Sequence, residues 1–225
     1  MSWNKVNTYN LANKVRPTNT NDKTLFQQMW QAKKETRGYH DAEITEKQWK
    51  KIFKNGRKLP TSNTMISNLI SSNDERKVQL ENKPHPHVAA LTYAELERRL
   101  DFVVFRSLFA SSILEAKQLI LHGKVKLNGE KIRVSSTKLN EGDIVQVEPE
   151  AITFLKGSKG ENLQFVPKPY SQPHLFLPPY LEVDYLTCST VFLRTPISRP
   201  GKTEIPSPYP PNVHALAYEF YVTKN

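Results

Sequence analysis

Residues Thr92 to Glu148 read TYAELERRLDFVVFRSLFASSILEAKQLILHGKVKLNGEKIRVSSTKLNEGDIVQVE, and they carry the most ordered series of local signals in the chain. Residues 92–95 and 112–115 each place a hydroxyl three positions before a glutamate, which is the spacing of a helix capping box. Gly123 supplies a stop for the second helix. The sequence therefore predicts two helices, whose apolar faces are Leu96, Leu100, Val103, Val104 and Leu108, and Ile113, Ala116, Leu119 and Ile120.

A β-hairpin is predicted directly after these helices. Asn128-Gly129 is the strongest two-residue hairpin signal, because a type I′ turn needs a positive φ at both central positions. A second turn at residues 140–143 leads to a closing strand. The strands are outlined by Val125 and Leu127, by Ile132 and Val134, and by Ile144, Val145 and Val147. This part of the chain is expected to form two helices packed on a small β-sheet.

Charge is unevenly distributed along the same residues. Residues 106–133 hold six Lys or Arg against two acids, whereas residues 134–150 hold one lysine against four acids. A cationic helix and hairpin suit a phosphate backbone, because each neutralised phosphate releases counterions. From charge alone, a solvated helix face with ordinary surface lysines explains the pattern equally well.

Several short motifs occur in a recognisable order. The central ones are Arg99-Leu100-Asp101, Val103-Val104-x-Arg106, Glu115-Ala116-x-Gln118-Leu119, His122 and Asn128-Gly129. Others are Glu46-Lys47-Gln48 with Trp49-Lys50-Lys51-Ile52-Phe53, Leu181-Glu182-Val183-Asp184, and Ala217-Tyr218-Glu219-Phe220-Tyr221. The central set resembles the S-four RNA-binding domain, and the whole series resembles the small-subunit ribosomal protein S-four family. Trp30 and Tyr39-His40 make the chain most similar to the fungal mitochondrial branch of that family.

Length and composition agree with this resemblance. A chain of 225 residues suffices for one large domain or two small ones. A net charge of +10 favours an acidic partner, and 16 of the 32 Lys and Arg lie in residues 1–90. No run approaches the ~20 apolar residues that a membrane span needs. The single cysteine, Cys188, rules out an internal disulfide and fits a reducing compartment.

Two basic helices are predicted in an N-terminal region, residues 1–58. The first carries an apolar stripe, and the second turns Ile44, Trp49, Ile52 and Phe53 inward. The stripe consists of Leu25, Phe26, Met29 and Trp30. Nine bases and four acids lie between residues 33 and 58, so the lysines are expected to meet phosphates. Trp30 and Trp49 are interpreted as core packing, with base stacking as the alternative.

Residues 59–90 are rich in Ser and Asn and are predicted to be a linker or insertion. The insertion ends in two histidines, His85 and His87, that lack nearby cysteines or paired carboxylates, so no metal site is expected there. Some bacterial members of the resembled family carry an N-terminal cysteine cluster for zinc. This chain has no cysteine in that region, so zinc is not implied, and no cofactor is expected.

Residues 151–225 hold 11 of the 16 prolines. Apolar runs at residues 180–183, 190–193 and 217–222 are interpreted as short strands between proline-marked turns. A small β-subdomain that packs on the N-terminal helices is expected. A polyproline ligand is the alternative, although no regular PxxP block occurs. The fold class predicted for the whole chain is α+β, with an N-terminal helical region, a central S-four domain at residues 91–150 and this proline-rich C-terminal segment.

An Arg-Leu-Asp run at residues 99–101 resembles the motif of pseudouridine synthases, whose aspartate is the nucleophile. Asp101 lies on a predicted helix inside the S-four domain, so it is expected to orient a neighbouring arginine instead. The sequence contains no Gly-rich phosphate loop and no Ser/His/Asp spacing of a hydrolase. The protein is therefore not expected to be an enzyme.

The sequence is interpreted as a structural component of the small ribosomal subunit that binds small-subunit rRNA and supports subunit assembly and translation. Ser111 and Ser112 begin a predicted helix, where they either bind a phosphate or only cap the helix. A free S-four-domain RNA-binding regulator or translation-quality factor is the alternative, and an RNA-modifying enzyme is a third. The predicted RNA-binding residues are Arg98, Arg99, Arg106, Ser111, Ser112, Lys117, Gln118, His122, Lys124, Lys126, Lys131, Arg133, Lys33, Lys34, Arg37, Lys47, Lys50, Lys51 and Lys54.

The resemblance also implies partners and a compartment. The partners are neighbouring small-subunit ribosomal proteins, including ribosomal protein S-five, and messenger RNA near the path by which it enters the subunit. The compartment is the mitochondrial matrix. Residues 1–21 carry Lys5, Lys14 and Arg16 and no acid, which suits matrix import.

Overall fold

The computed structural model of the protein describes residues 22–40, 45–48, 50–51, 93–156, 164–166, 177–196, 198–199 and 202–223. These residues belong to two compact units. The first unit contains the described residues from Tyr93 to Pro211, and the second contains those from 22 to 51 and from 212 to 223. The inward-facing residues predicted for the second basic helix, Lys54 and the insertion at 59–90 lie outside the described residues.

The described residues form helices and strands, as the predicted α+β class requires. The helices are α1 (Leu25–His40), α2 (Ala94–Glu97), α3 (Leu100–Arg106), α4 (Ile113–Leu121) and α5 (Pro211–Thr223). The strands are β1 (Val125–Leu127), β2 (Glu130–Lys131), β3 (Ile144–Val147), β4 (Leu155–Lys156), β5 (Gln164–Phe165), β6 (Leu181–Asp184), β7 (Ser189–Phe192), β8 (Ser198–Arg199) and β9 (Lys202–Thr203). A short 3₁₀ turn spans Pro149–Ala151.

The first predicted helix of the S-four segment is broken in two. Arg99 has extended dihedral angles, φ −76° and ψ 143°, between α2 and α3. The backbone at the break bonds to a neighbouring segment: Leu139 N–H donates to Arg98 C=O at 2.8 Å, and Leu100 N–H donates to Thr137 C=O at 2.9 Å. The predicted apolar face is nevertheless buried throughout. Helical spacing identified the inward residues but not the break, because the break depends on a segment some 40 residues later.

The local signals of α4 and the hairpin are confirmed. Ser112 caps α4 by accepting from Glu115 N–H at 3.2 Å. Gly123 ends the helix at φ 70°, and Asn128 and Gly129 take φ values of 50° and 89°. The return strand β2 is only two residues long, and Val134, which was predicted to continue it, is exposed.

β1–β3 and β6–β7 form one antiparallel sheet in the order β2-β1-β3-β7-β6. Val125, Val145 and Phe192 are buried on one face of this sheet. They belong to the same core cluster as Leu100 and Ile120 from the helices. The strands predicted near residues 181 and 191 therefore exist, and they extend the sheet of the S-four segment. The predicted division of the chain at residues 58, 90 and 150 stays a prediction.

The last predicted strand is wrong, because residues 217–222 belong to helix α5. The buried residues Val213, Ala217, Phe220 and Tyr221 recur at helical spacing, and Pro211 stands at the first helical position. The aromatic and apolar content of the last few residues resembles a strand when it is taken without the preceding residues.

In the second unit, α1 buries Met29, Ala32, Thr36 and His40. His40 and His214 pack ring to ring with centroids 5.6 Å apart, and Phe26 and Phe220 lie 6.0 Å apart. The predicted core stripe is only partly correct, because Leu25, Phe26 and Trp30 are 61%, 51% and 46% exposed. Trp30 follows Met29 and so points about 100° away from the buried face.

Candidate nucleic-acid interface

Arg106 is removed from the predicted RNA-binding set. Its side chain is 4% exposed, and its Nε and terminal nitrogen donate to the two Glu97 carboxylate oxygens at 3.1 and 3.0 Å. Tyr180 O–H donates to the same carboxylate at 2.7 Å. Burial and the neighbouring Glu97 raise the pKa of Tyr180 well above its ordinary value, so the hydroxyl stays a donor. Arg106 therefore belongs to the core and cannot reach a phosphate in this structure.

Arg99 and Asp101 form a second internal pair. The Arg99 guanidinium donates two hydrogen bonds to the Asp101 carboxylate, at 3.1 and 2.7 Å. Burial raises the pKa of Asp101, while Arg99 and Lys117 act in the opposite direction. Asp101 orients Arg99, as expected. A fully buried carboxylate held in this way lacks the exposure that a nucleophile needs.

Ser111 and Ser112 serve as helix caps. Ser111 N–H donates to the Glu115 carboxylate at 2.6 Å, and its hydroxyl donates to the same oxygen. Ser112 accepts from Glu115 N–H. Both serines are only 8% exposed. Glu115 thus occupies the place at the start of α4 where a phosphate was predicted as one alternative.

An exposed basic surface remains on α4 and the β1–β2 hairpin, which we call the hairpin surface. Arg133 lies beside Gly123, its Nε 3.8 Å from the point where a Cβ would stand. Lys124 pairs with Glu148 at 2.7 Å, and Lys131, 62% exposed, approaches the same carboxylate at 3.8 Å. Exposed pairs of this kind contribute little to stability. Its exposed members are Gln118, His122, Lys124, Lys131 and Arg133. Lys117 and Lys126 are partly buried, and Arg98 is tied to Glu95 and Leu139 C=O.

The solvent face of the sheet continues this surface and reverses its charge. Cα partners run from Lys131 to Lys126, then to Gln146, Ser189 and Asp184. The face is therefore basic at the β2 edge and acidic at the β6 edge. The sequence predicted the basic part, and the acidic edge became visible only when the strand order was known.

In the second unit, the predicted basic residues separate into two groups. Lys33 and Arg37 both pair with Glu46, and Lys33 Nζ lies 5.0 Å from the Phe220 ring centroid. Lys34 lies 5.2 Å from the Trp30 ring centroid. Lys34, Lys47, Lys50 and Lys51 are exposed.

Sequence reasoning missed Lys23, Gln27 and Gln31. They line a groove with Trp30, Lys34 and Glu35 that has a volume of about 520 Å³. The available signal was a polar residue at every fourth position, namely 23, 27, 31 and 35, with a tryptophan beside the third of them.

Among the described residues, no group of three or more His, Cys, Asp or Glu side chains is placed to hold a metal ion. None of the described helices is long and apolar enough to cross a membrane.

Comparison with known proteins agrees with this geometry. The S4 domain family matches residues 98–145, from the helix break to β3. Small ribosomal subunit protein uS4m of Schizosaccharomyces pombe is 39% identical over 98% of this chain and 76% of that protein. Small ribosomal subunit protein uS4 of Cereibacter sphaeroides is 31% identical over 84% of this chain and 73% of that protein. Small ribosomal subunit protein uS4 of Bradyrhizobium diazoefficiens is 36% identical over 56% of this chain and 55% of that protein.

The match to uS4m runs through both units and is not confined to the RNA-binding domain. A free regulator that shares only an S4 domain with these proteins would not produce such a match. The chain belongs to the uS4 family of small ribosomal subunit proteins.

Proposed function

We propose that this protein is a structural component of the mitochondrial small ribosomal subunit that binds small-subunit rRNA through the hairpin surface. The observation that carries the proposal is the exposed basic cluster on α4, β1 and β2, inside the segment that matches the S4 domain. Structured RNA exposes phosphates and shape more than base edges, so a rigid basic surface suits it. The role needs no catalysis, and the family is structural.

The finer expectations belong to the same proposal. We place the protein in the mitochondrial matrix, supported by the similarity to uS4m. The acidic β6 edge, with Glu182 and Asp184, suits a basic neighbouring protein, and the resemblance suggests ribosomal protein S-five. Messenger RNA near its path into the subunit is a further proposed partner.

Sedimentation tests the assembly. The tagged protein is run through a magnesium-containing gradient at moderate and high salt, and fractions are tested for mitochondrial and cytosolic small-subunit RNA. Co-migration with the mitochondrial RNA at both salts is expected. Co-migration with cytosolic RNA would overturn the compartment, and protein stripped to the top by salt would favour a free RNA-binding factor.

Charge removal tests the surface. Lys131→Gln with Arg133→Gln should weaken binding to an rRNA fragment and reduce the slope of log K against log salt by roughly 1 for each phosphate that is no longer neutralised. Lys138→Gln is the matched control, since Lys138 is an exposed lysine of the same unit, paired with Glu95, and outside the surface. Lys138→Gln removes one charge where the double variant removes two, so a loss that is equal per removed charge would show that only total charge matters.

A further inference from the structure

The groove on α1 presents an exposed tryptophan. Trp30 is 46% exposed although tryptophan is highly buried on average, and the buried side of α1 consists of other residues. An exposed indole is a large flat apolar surface with a hydrogen-bonding N–H, and tryptophan is accordingly enriched at interfaces. The volume of about 520 Å³ falls in the range of small-molecule sites and exceeds what a single base fills.

Polar groups around the indole are held in place by one another. Lys23 Nζ donates to Gln31 Oε1, and Gln31 Nε2 donates to Glu35 Oε1 at 2.7 Å. Gln27 Oε1 accepts from Thr24 N–H at 3.2 Å. The amide groups are therefore oriented in advance beside the aromatic platform, as a site for a flat polar heterocycle requires.

The charge of the groove selects among ligands. Lys23 and Lys34 supply two positive charges against the one carboxylate of Glu35, whose Oε1 is already bonded to Gln31. Lys34 Nζ lies over one face of the Trp30 ring, 5.2 Å from its centroid, so a stacked base would use the opposite face or displace this ammonium group. An aromatic platform next to lysines is the arrangement that binds single-stranded nucleic acid, where bases stack and phosphates meet cations.

We propose that this groove binds an unpaired nucleotide of single-stranded RNA, with the base stacked on Trp30 and the phosphate held by Lys34 and Lys23. Duplex RNA does not fit the site, because its base faces are covered by their neighbours. The inference rests on the proposed rRNA-binding function and adds a second contact of a different kind. The hairpin surface neutralises phosphates of folded RNA, whereas the groove recognises an exposed base.

Fluorescence tests the stacking. The full chain carrying Trp3→Phe and Trp49→Phe retains Trp30 as its only indole. A ten-nucleotide oligoadenylate should quench its fluorescence and bind on the order of tenfold more tightly than an abasic oligomer of equal length and charge. Equal binding of the two oligomers would overturn the proposal.

Variants locate the effect. Trp30→Ala should abolish the preference for oligoadenylate, and Trp30→Tyr should retain part of it. Leu25→Ala is the matched control, because Leu25 is an exposed apolar residue of the same helix outside the groove, and it should change nothing. A preference that survives Trp30→Ala would place the base elsewhere and overturn the proposal.

Two readouts separate this proposal from the proposed function. Trp30→Ala should keep most of its affinity for a structured rRNA fragment and its co-migration with the subunit. A wild-type chain that fails to bind that fragment would refute the proposed function itself. A photo-reactive residue at position 27, in the assembled subunit, should cross-link to RNA; cross-linking to protein would overturn the nucleotide assignment.

Discussion

Arg106 and Arg133 carry the same guanidinium group in opposite environments. Arg133 lies on the surface beside Gly123, whereas Arg106 is buried against Glu97. Both belong to the run of basic residues in the sequence. The sequence shows where charges lie along the chain, but it does not show which side chains are buried. The partner Tyr180 lies more than 70 residues beyond Arg106, and local spacing does not reveal such a distant contact.

Removing the buried arginine should destabilise the first unit. Arg106→Met leaves the Glu97 carboxylate buried without its cation, which typically costs about 3–5 kcal/mol. The free energy of unfolding, from urea titration, should fall by that order, while RNA affinity well below the unfolding midpoint stays unchanged. Arg133→Met is the contrasting variant: it should lose RNA affinity and change stability by no more than about 0.5 kcal/mol. A stable Arg106→Met with weakened RNA binding would contradict the assignment.

His214 should make the second unit sensitive to acid. Burial lowers the pKa of His214 to about 4, from about 6.5 in an unfolded chain. The unfolded state therefore binds more protons between these pH values, and stability falls as the pH decreases from about 6.5 to 4. The loss should reach on the order of 3 kcal/mol, measured as hydrogen exchange of the α5 amides at pH 7, 5.5 and 4.5. His214→Phe, which keeps a ring against His40, should remove most of this dependence; an unchanged slope would exclude His214.

At the scale of elements, local signals were reliable where the chain interacts with itself over a few residues. The Ser112 cap, the Gly123 stop and the Asn128-Gly129 turn all lie where the sequence placed them. The break at Arg99 is not predictable from local spacing, because it depends on backbone hydrogen bonds to Thr137 and Leu139. Residues 217–222 are predicted as a strand but lie in α5, because a few apolar residues fit both a strand pattern and a helix pattern.

The hairpin turn should depend on its glycine. Gly129 has a φ of 89°, and no heavy atom lies within 4 Å of an added Cβ, so a substitution is opposed by backbone conformation alone. Gly129→Ala should lower the unfolding free energy by about 1 kcal/mol. Gly129→Asn should cost less, since asparagine tolerates positive φ. Equal stability of both variants with the wild type in thermal unfolding would show that the turn relaxes to another type.

At the scale of the whole molecule, many of the basic residues lie outside the segment whose motifs identify the family. Half of the Lys and Arg lie in residues 1–90, outside the segment that matches the S4 domain. Composition predicted an acidic partner, and the order of the motifs predicted the family. Individual contacts can be assigned only when the exposure of each side chain is known. Arg106, Ser111 and Ser112 are buried, whereas Lys34 and Lys47 are exposed.

The N-terminal lysines should carry much of the salt dependence. Lys47, Lys50 and Lys51 are all exposed. If each neutralises one phosphate, changing the three to glutamine should reduce the slope of log K against log salt by roughly 2 to 3. The measurement is affinity for an rRNA fragment between 50 and 200 mM salt. An unchanged slope, with circular dichroism like that of the wild type, would remove these three lysines from the RNA interface.

The pairing of β3 with β7 determines when the protein can fold during its own synthesis. β3 ends at Val147, but the strand that covers its edge begins at Ser189, and Glu97 accepts its hydrogen bond from the equally late Tyr180. A nascent chain that has emerged only as far as residue 150 exposes the edge of β3 that β7 later covers. It also leaves the Glu97 carboxylate, which is buried in the folded protein, without its bond from Tyr180. Such edges template aggregation. Chaperone protection or early capture by RNA is therefore most needed while residues 148–192 are being translated.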